Sequence, residues 1–283
     1  MNKIFFTIIF GAILIIPTYG QITNKARTTK RIETYLTRIE KVGFSGSVLV
    51  AIEGKEVLSN GYGFRNAELK EMNTPSTIFD IGSITKQFTA AAILKLEMQG
   101  KLATNNKISL YFPNVPVDKQ AITIHDLLRH QSGLPSVVGG DYDKITETAF
   151  IDSAMKAPLR FKCGTKFSYS NIGYSLLAII IEKVSGRSYE EYLYKNLWQP
   201  AKMESTGYTR PNFNKDEIAI GYQDGKLWGK PTEKEWDKDA PYWNLKGNGG
   251  ILSTTEDLYK WNQAFLTDEI LSKDAKEKYF HPK

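Results

Sequence analysis

Ser83 and Lys86 stand one helical turn apart in "FDIGSITKQFTAAAIL", where an extended run gives way to an Ala-rich helix. Residues three apart on a helix share a face, with Cβ atoms about 5–6 Å apart, so the amine can reach the hydroxyl. A serine hydroxyl is a weak nucleophile and needs a base. A neutral lysine is such a base, but lowering its pKa from about 10.4 to about 7 costs roughly 4–5 kcal/mol. A helix N-terminus supplies only about 0.3–2 kcal/mol of that. Burial, or a group that responds to the proton, must supply the rest. The start of a helix also leaves backbone N–H groups unpaired, so the Ser83 N–H is a candidate oxyanion donor.

A second polar cluster is "FSYSNIGY", with Tyr169 and Asn171 two apart at the start of an apolar helix. A phenol near Lys86 could share a proton with the amine. Both patterns recur, which limits what spacing alone establishes. Ser153 and Lys156 repeat the first inside "TETAFIDSAMKAPL", read as the interior of an amphipathic helix with no extended approach, hence surface. Tyr194–Asn196 falls within a helix, and Tyr242–Asn244 reads as a polar loop. On spacing alone the pair at Ser83 is equally compatible with function and with an ordinary helix start.

The elements that must position these groups are readable in outline. "ARTTKRIETYLTRIEKV" carries Ile32, Leu36, Ile39 and Val42 near helical spacing. Two β-rich runs flank Glu53-Gly54-Lys55, which is hairpin chemistry. Pro75 keeps "NTPSTIFDIG" out of a helix interior, and a helix is expected from Ser83 to about Gly100. Further helices are expected in "ITIHDLLRHQSGLP", ending at Gly133, in "NIGYSLLAIIIEKVSG", ending at Gly186, and in "SYEEYLYKNLWQP", stopped by Pro200. "STTEDLYKWNQAFL" opens with Ser253 or Thr254 as cap and Glu256 close behind. The pattern is one early hairpin followed mostly by helices. An isolated hairpin is marginal in water, so further strands are required.

Composition narrows the classes. The 283 residues suffice for a sizeable core. Residues 1–20 read as a secretory signal peptide: Lys3, the apolar run "IFFTIIFGAILII", then "PTYG". The expected organisation is thus a signal peptide over 1–20 and one domain over 21–283, exported to the periplasm or outside the cell, with no stable membrane span after cleavage. Cys163 is the single cysteine, so no internal disulfide forms. The net charge of +6 comes with no nucleic-acid motif. The three histidines show no zinc-type spacing, and neither metal nor cofactor is expected.

Taken together, "GSITKQFTAAAILKLEMQGKL", "ITIHDLLRHQSGLP", "FSYSNIGYSLLAIIIEKVSGRSYEEYL" and "GNGGILSTTEDLYKW" resemble, in order, serine β-lactamase-related proteins: class C β-lactamases, D-Ala-D-Ala peptidases and esterases. The likeness runs over roughly residues 30 to 270. It implies an α+β fold of the β-lactamase/penicillin-binding-protein kind, an antiparallel sheet beside a helical lobe with the site between them. It implies that Ser83 is the acylated nucleophile and Lys86 its motif lysine. Tyr169 would be the motif tyrosine that shuttles protons and supports deacylation, and Asn171 would line the substrate site. Whether Lys86 or Tyr169 takes the serine proton stays open. "HQSGLP" is expected to be structural and Cys163 a turn position. The implied activity is serine acyl transfer without cofactor, on a D-Ala-D-Ala peptide, a β-lactam or an ester. The partner is then a small molecule or a peptidoglycan-like peptide, with no nucleic acid.

The family's third motif, Lys or His, a small residue, then Gly, does not occur as [Lys/His]-[Ser/Thr]-Gly in these 283 residues. A C-terminally truncated domain with an incomplete sheet is therefore expected. The alternative function is a catalytically impaired or non-catalytic penicillin-binding-like protein. If a second oxyanion donor lies within the chain, Asn248 to Ile251 is the place expected for it. The sequence fixes no oligomeric state.

Overall fold

Glu53 and Gly54 both take positive φ, 53° and 69°. That is the geometry of a two-residue primed turn, whose twist matches that of the strands it joins. It closes β1 (Gly46–Ile52) onto β2 (Lys55–Tyr62) as an antiparallel pair. The fold is described from a computed structural model covering residues 19–234, 236 and 240–281, with side chains from residue 25. Most of the expected signal peptide, residues 1–18, lies outside the described residues. The chain divides into two units, residues 1–44 and 45–283. The first contains α1 (Tyr19–Glu40), which holds the helical stripe expected from Ile32, Leu36 and Ile39.

In the second unit the fold is α+β, as expected. In place of one sheet, the described residues form four separate antiparallel pairs. They are β1–β2; β3 (Phe64–Asn66) with β4 (Glu71–Met72); β5 (Phe79–Asp80) with β8 (Leu252–Ser253); and β6 (Gly221–Gln223) with β7 (Lys226–Gly229). The short pairs lack the alternating runs that make a strand visible in sequence. The β5–β8 pair matters most: with the Ile81 N–H donating to the Ile251 carbonyl (2.9 Å), it brings residues 248–251 beside Ser83.

The helices form the lobe. A single 3₁₀ turn, Gly82–Ile84, leads into α2 (Thr85–Met98). Then come α3 (Ile124–Leu128), α4 (Glu147–Lys156), α5 (Asn171–Ser185) and α6 (Tyr189–Leu193), the last continuing as a π turn over Tyr194–Trp198. α7 (Thr255–Ala264) and α8 (Lys273–Phe280) complete the set. α2 packs on α5, α6 and α8, and α3 packs on α5. Phe88, Ile93, Leu96, Leu127, Leu177, Ile180 and Trp198 lie in one buried core. α5 is capped by Ser170, whose hydroxyl accepts from the Gly173 N–H, and stops at Gly186 in the left-handed region (φ 67°). Thr254, rather than Ser253, caps α7, and its partner is the Asp257 N–H. The hairpin is tied to α7 by the Tyr259 hydroxyl, which donates to the Gly54 carbonyl (2.8 Å).

Three local expectations change. α3 ends at Leu128, five residues before Gly133, because His130 takes a left-handed conformation (φ 56°) that no helix continues through. The Ser83 turn is 3₁₀ rather than α at its first residues. The segment containing Tyr242–Asn244 is not a polar loop: Tyr242, Trp243 and Leu245 are all buried.

Candidate active site

The β5 strand ends at Asp80, whose carboxylate accepts from the Gly82 N–H (2.7 Å). This bond, with Gly82 at φ 50°, sets the turn that presents Ser83 on the exposed side of the helix start. One turn on, Lys86 is buried at 6% exposure. Its Nζ lies 3.2 Å from Ser83 Oγ and donates to the Asn248 carbonyl at 2.7 Å. The rings of Tyr169 and Tyr174 face the same nitrogen, with centroids at 4.8 Å and 5.7 Å. Burial lowers the Lys86 pKa from 10.5 to about 8, opposed by the charge of Asp141. Burial is thus the main source of the shift that the serine–lysine pair requires.

Asn248 is held by its own side chain, which donates to the Ser175 hydroxyl (2.9 Å) and the Asn244 carbonyl (2.8 Å). Ser175 in turn donates to the Lys246 carbonyl (2.9 Å). Gly247 lets this loop lie against α5: with φ at 84°, a Cβ there would stand 2.5 Å from the Ala178 Cβ. The "KGNGG" segment therefore links α5 to the Lys86 amine through Ser175 and Asn248.

His130 forms the wall beside Lys86. Its ring stacks on Tyr169 (4.4 Å, 26°) and lies 5.0 Å from that of Tyr174. Its Nδ1 accepts the Ser170 N–H at 3.0 Å, which only an unprotonated nitrogen can do. Burial, and then the Lys86 charge, lower its pKa to about 4, so the ring is neutral at physiological pH. The Tyr174 hydroxyl donates to the Leu128 carbonyl (3.0 Å), and burial raises its pKa. Burial raises the pKa of Asp80 and of Asp141.

The structure brings Ser83, Lys86 and Tyr169 together on the wall of one cavity of about 850 Å³. Lys86 meets the face of the Tyr169 ring, and the contact is with the π system rather than a hydrogen bond to the hydroxyl. Asn171 starts α5 and its backbone N–H donates to the Ser136 carbonyl (2.8 Å). Its side-chain Oδ1 is buried without a protein partner, and Asn171 is not among the residues lining that cavity. The second copy, Ser153, returns its hydroxyl to the Ala149 carbonyl within α4 (2.8 Å), with Lys156 exposed. Asn248 to Ile251 offers no spare oxyanion donor. Asn248 and Gly249 N–H bond the Leu245 carbonyl, Ile251 N–H bonds Thr85 Oγ1 (3.3 Å), and the Gly250 backbone bonds Asp80. Cys163 is half-buried, and burial followed by Asp126 raises its pKa to about 12, which leaves it a thiol. Among the described residues no cluster of His, Cys, Asp or Glu could hold a metal, and no helix is long and apolar enough to cross a membrane.

The family model described as Beta-lactamase matches residues 32–282. The chain belongs to the beta-lactamase family. Among curated proteins it is 32% identical to the putative penicillin-binding protein PbpX of Bacillus subtilis, over 92% of this chain and 64% of that protein. It is likewise 32% identical to penicillin-binding protein 4* of the same organism, over 91% of this chain and 60% of that one. The chain thus spans less than two thirds of the length of these relatives. Among solved structures it superposes on FmtA from Staphylococcus aureus with TM-score 0.74 at 30% identity, covering 88% of this chain and 68% of that one. D-amino acid amidase from Ochrobactrum anthropi aligns with TM-score 0.70 at 25% identity, covering 82% and 67%. Membership of this family and its neighbours support a serine-hydrolase type of function.

Proposed function

We propose that the protein is an exported serine acyl-transfer enzyme working through an ester on Ser83. The observation that carries this reading is the buried Lys86 amine, 3.2 Å from Ser83 Oγ with its pKa lowered to about 8. The neutral amine keeps one N–H on the Asn248 carbonyl and turns its lone pair toward the hydroxyl. Ser83 Oγ attacks the substrate carbonyl carbon and its proton passes to Lys86 Nζ. The Ser83 N–H stabilises the oxyanion. The leaving group departs with the proton from Lys86, and water repeats the sequence in reverse to release the acid. Tyr169 is 41% exposed with its ring over Lys86, and its hydroxyl relays the proton between the amine and the leaving group or water once it turns to hydrogen-bond the amine. Asn171, whose Oδ1 is buried and which does not line the cavity, is assigned no contact with the substrate.

The substrates proposed are acyl donors of the three kinds the sequence resemblance implies: a D-Ala-D-Ala peptide, a β-lactam or an ester. Intact-mass measurement after incubation with one of each tests the reading. A mass increase equal to the acyl fragment, lost in Ser83→Ala, is expected with at least one class. No increase with any class refutes it.

A further inference from the structure

The carbonyl that holds the Lys86 amine belongs to a glycine-rich stretch. Asn248 lies in "KGNGG", between Gly247 and the pair Gly249–Gly250, and glycine has the widest backbone freedom of any residue. The direction of the Asn248 carbonyl must therefore be set from outside the segment. One side chain meets both neighbours of Asn248. The Tyr208 hydroxyl accepts the Gly247 N–H at 3.0 Å and donates to the Gly249 carbonyl at 2.9 Å. Burial raises the Tyr208 pKa well above its ordinary value, so the phenol keeps the proton it donates. On α2, Thr89 follows Lys86 by three residues, and its hydroxyl donates to the Gly247 carbonyl at 2.6 Å while accepting from the Tyr189 hydroxyl at 2.6 Å. Tyr208 and Thr89 are both buried. Tyr208 is itself anchored on two elements. Gly207 before it exchanges both backbone bonds with Leu252 of β8 (3.0 and 2.9 Å), and the buried Glu190 carboxylate on α6 accepts from the N–H groups of Tyr208, Thr209 and Arg210.

We infer that Tyr208 and Thr89 are positioning residues for the Lys86 base: they hold Gly247 and Gly249, and so aim the Asn248 carbonyl that keeps Nζ 3.2 Å from Ser83 Oγ. The inference rests on the reading of Ser83 as nucleophile and Lys86 as its base. With one N–H given to a fixed acceptor, the neutral amine keeps its lone pair toward the hydroxyl. Without the hydroxyls of Tyr208 and Thr89 the glycines regain their rotations, the carbonyl swings, and the amine moves with it. A misplacement of about 1 Å at a reacting group can cost on the order of 10²-fold in rate. Neither residue lines the cavity that holds Ser83, so substrate binding should be left as it was.

The test is single-turnover acylation of Ser83 by p-nitrophenyl acetate at pH 9, where Lys86, with a pKa of about 8, is mostly neutral. Tyr208→Phe and Thr89→Val each remove one hydroxyl and keep the shape of the side chain. In each, the limiting acylation rate constant should fall about 10–10²-fold, while the ester concentration giving half that rate stays within about twofold. Tyr192→Phe is the control. It deletes a buried hydroxyl on α6 whose partner is Gln99 (3.4 Å) rather than "KGNGG", and both quantities should match the wild type. A limiting rate within about twofold of wild type in either folded variant overturns the assignment. So does a loss carried by the half-saturating concentration, or one that Tyr192→Phe reproduces. In all three cases the Ser83 adduct leaves the acyl-enzyme reading intact. Absence of that adduct in the wild-type protein overturns both. If Tyr208→Phe does not fold, Thr89→Val alone decides.

Discussion

The rate of Ser83 acylation should follow the titration of one buried amine. With the Lys86 pKa lowered from 10.5 to about 8, about a tenth of the protein carries the neutral base at pH 7. An unperturbed lysine would supply only about 0.03% at that pH, so burial multiplies the active form roughly 300-fold. Acylation by an activated ester should therefore rise close to tenfold between pH 6 and 7 and again by about fivefold between 7 and 8, then level off near pH 9. Asp141 opposes the shift through its negative charge, so Asp141→Asn should move the midpoint to lower pH. His130, neutral throughout this range, adds no second inflection above pH 6. The assay is stopped-flow release of p-nitrophenol under single-turnover conditions, corrected for the uncatalysed reaction at each pH. A profile flat from pH 6 to 8, a midpoint near 10.5, or a midpoint that rises in Asp141→Asn would refute the assignment of Lys86 as base.

The same shift makes a stability prediction. The folded amine has the lower pKa, so between about pH 8 and 10.5 the unfolded chain binds more protons and stability rises with pH. Lys86→Met, which removes the buried amine, should exceed the wild type in denaturant midpoint at pH 7, and the difference should shrink toward pH 10.5. Tyr169→Phe keeps the ring over Lys86 and against His130, so acylation should persist while breakdown of the acyl-enzyme slows by about 10²–10⁴. Tyr169→Leu loses the ring as well and should slow both steps. If pre-steady-state traces of Tyr169→Phe match the wild type in both phases, the hydroxyl has no role in proton transfer. Asn248→Ala removes two buried hydrogen bonds, to Ser175 and Asn244. It should cost about 1–3 kcal/mol in urea unfolding and reduce acylation, since the carbonyl that holds Lys86 is then loosely placed.

Much of this was legible in the sequence, for a physical reason in each case. That Lys86 can reach Ser83 could be read because residues three apart share a helix face, and the surrounding motifs set this copy apart from Ser153–Lys156. The Glu53–Gly54 turn and the apolar α5 could be read because turn chemistry and periodicity are local. What the sequence concealed depends on groups far apart in the chain. The carbonyl of Asn248 lies 162 residues from Lys86, and a backbone oxygen leaves no trace in residue type. His130 looked structural within "HQSGLP"; its left-handed φ and its stack on Tyr169 appear only when α3 and α5 are packed. Burial of Tyr242, Trp243 and Leu245 was missed because prolines, glycines and polar residues around them imitate a solvated loop. The two-residue strands β5 and β8 carry too little pattern to be read, although they bring Asn248 to the site.

One serine carries the acyl group in this mechanism, and adduct mapping locates it. The protein is incubated with a fluorescent penicillin and, separately, with an activated ester, quenched in acid and digested, and every labelled peptide is sequenced by mass spectrometry. One labelled residue is expected, Ser83, with the label absent in Ser83→Ala and strongly reduced in Lys86→Ala. Label on Ser153 or Ser170, or label that survives Ser83→Ala, would contradict it.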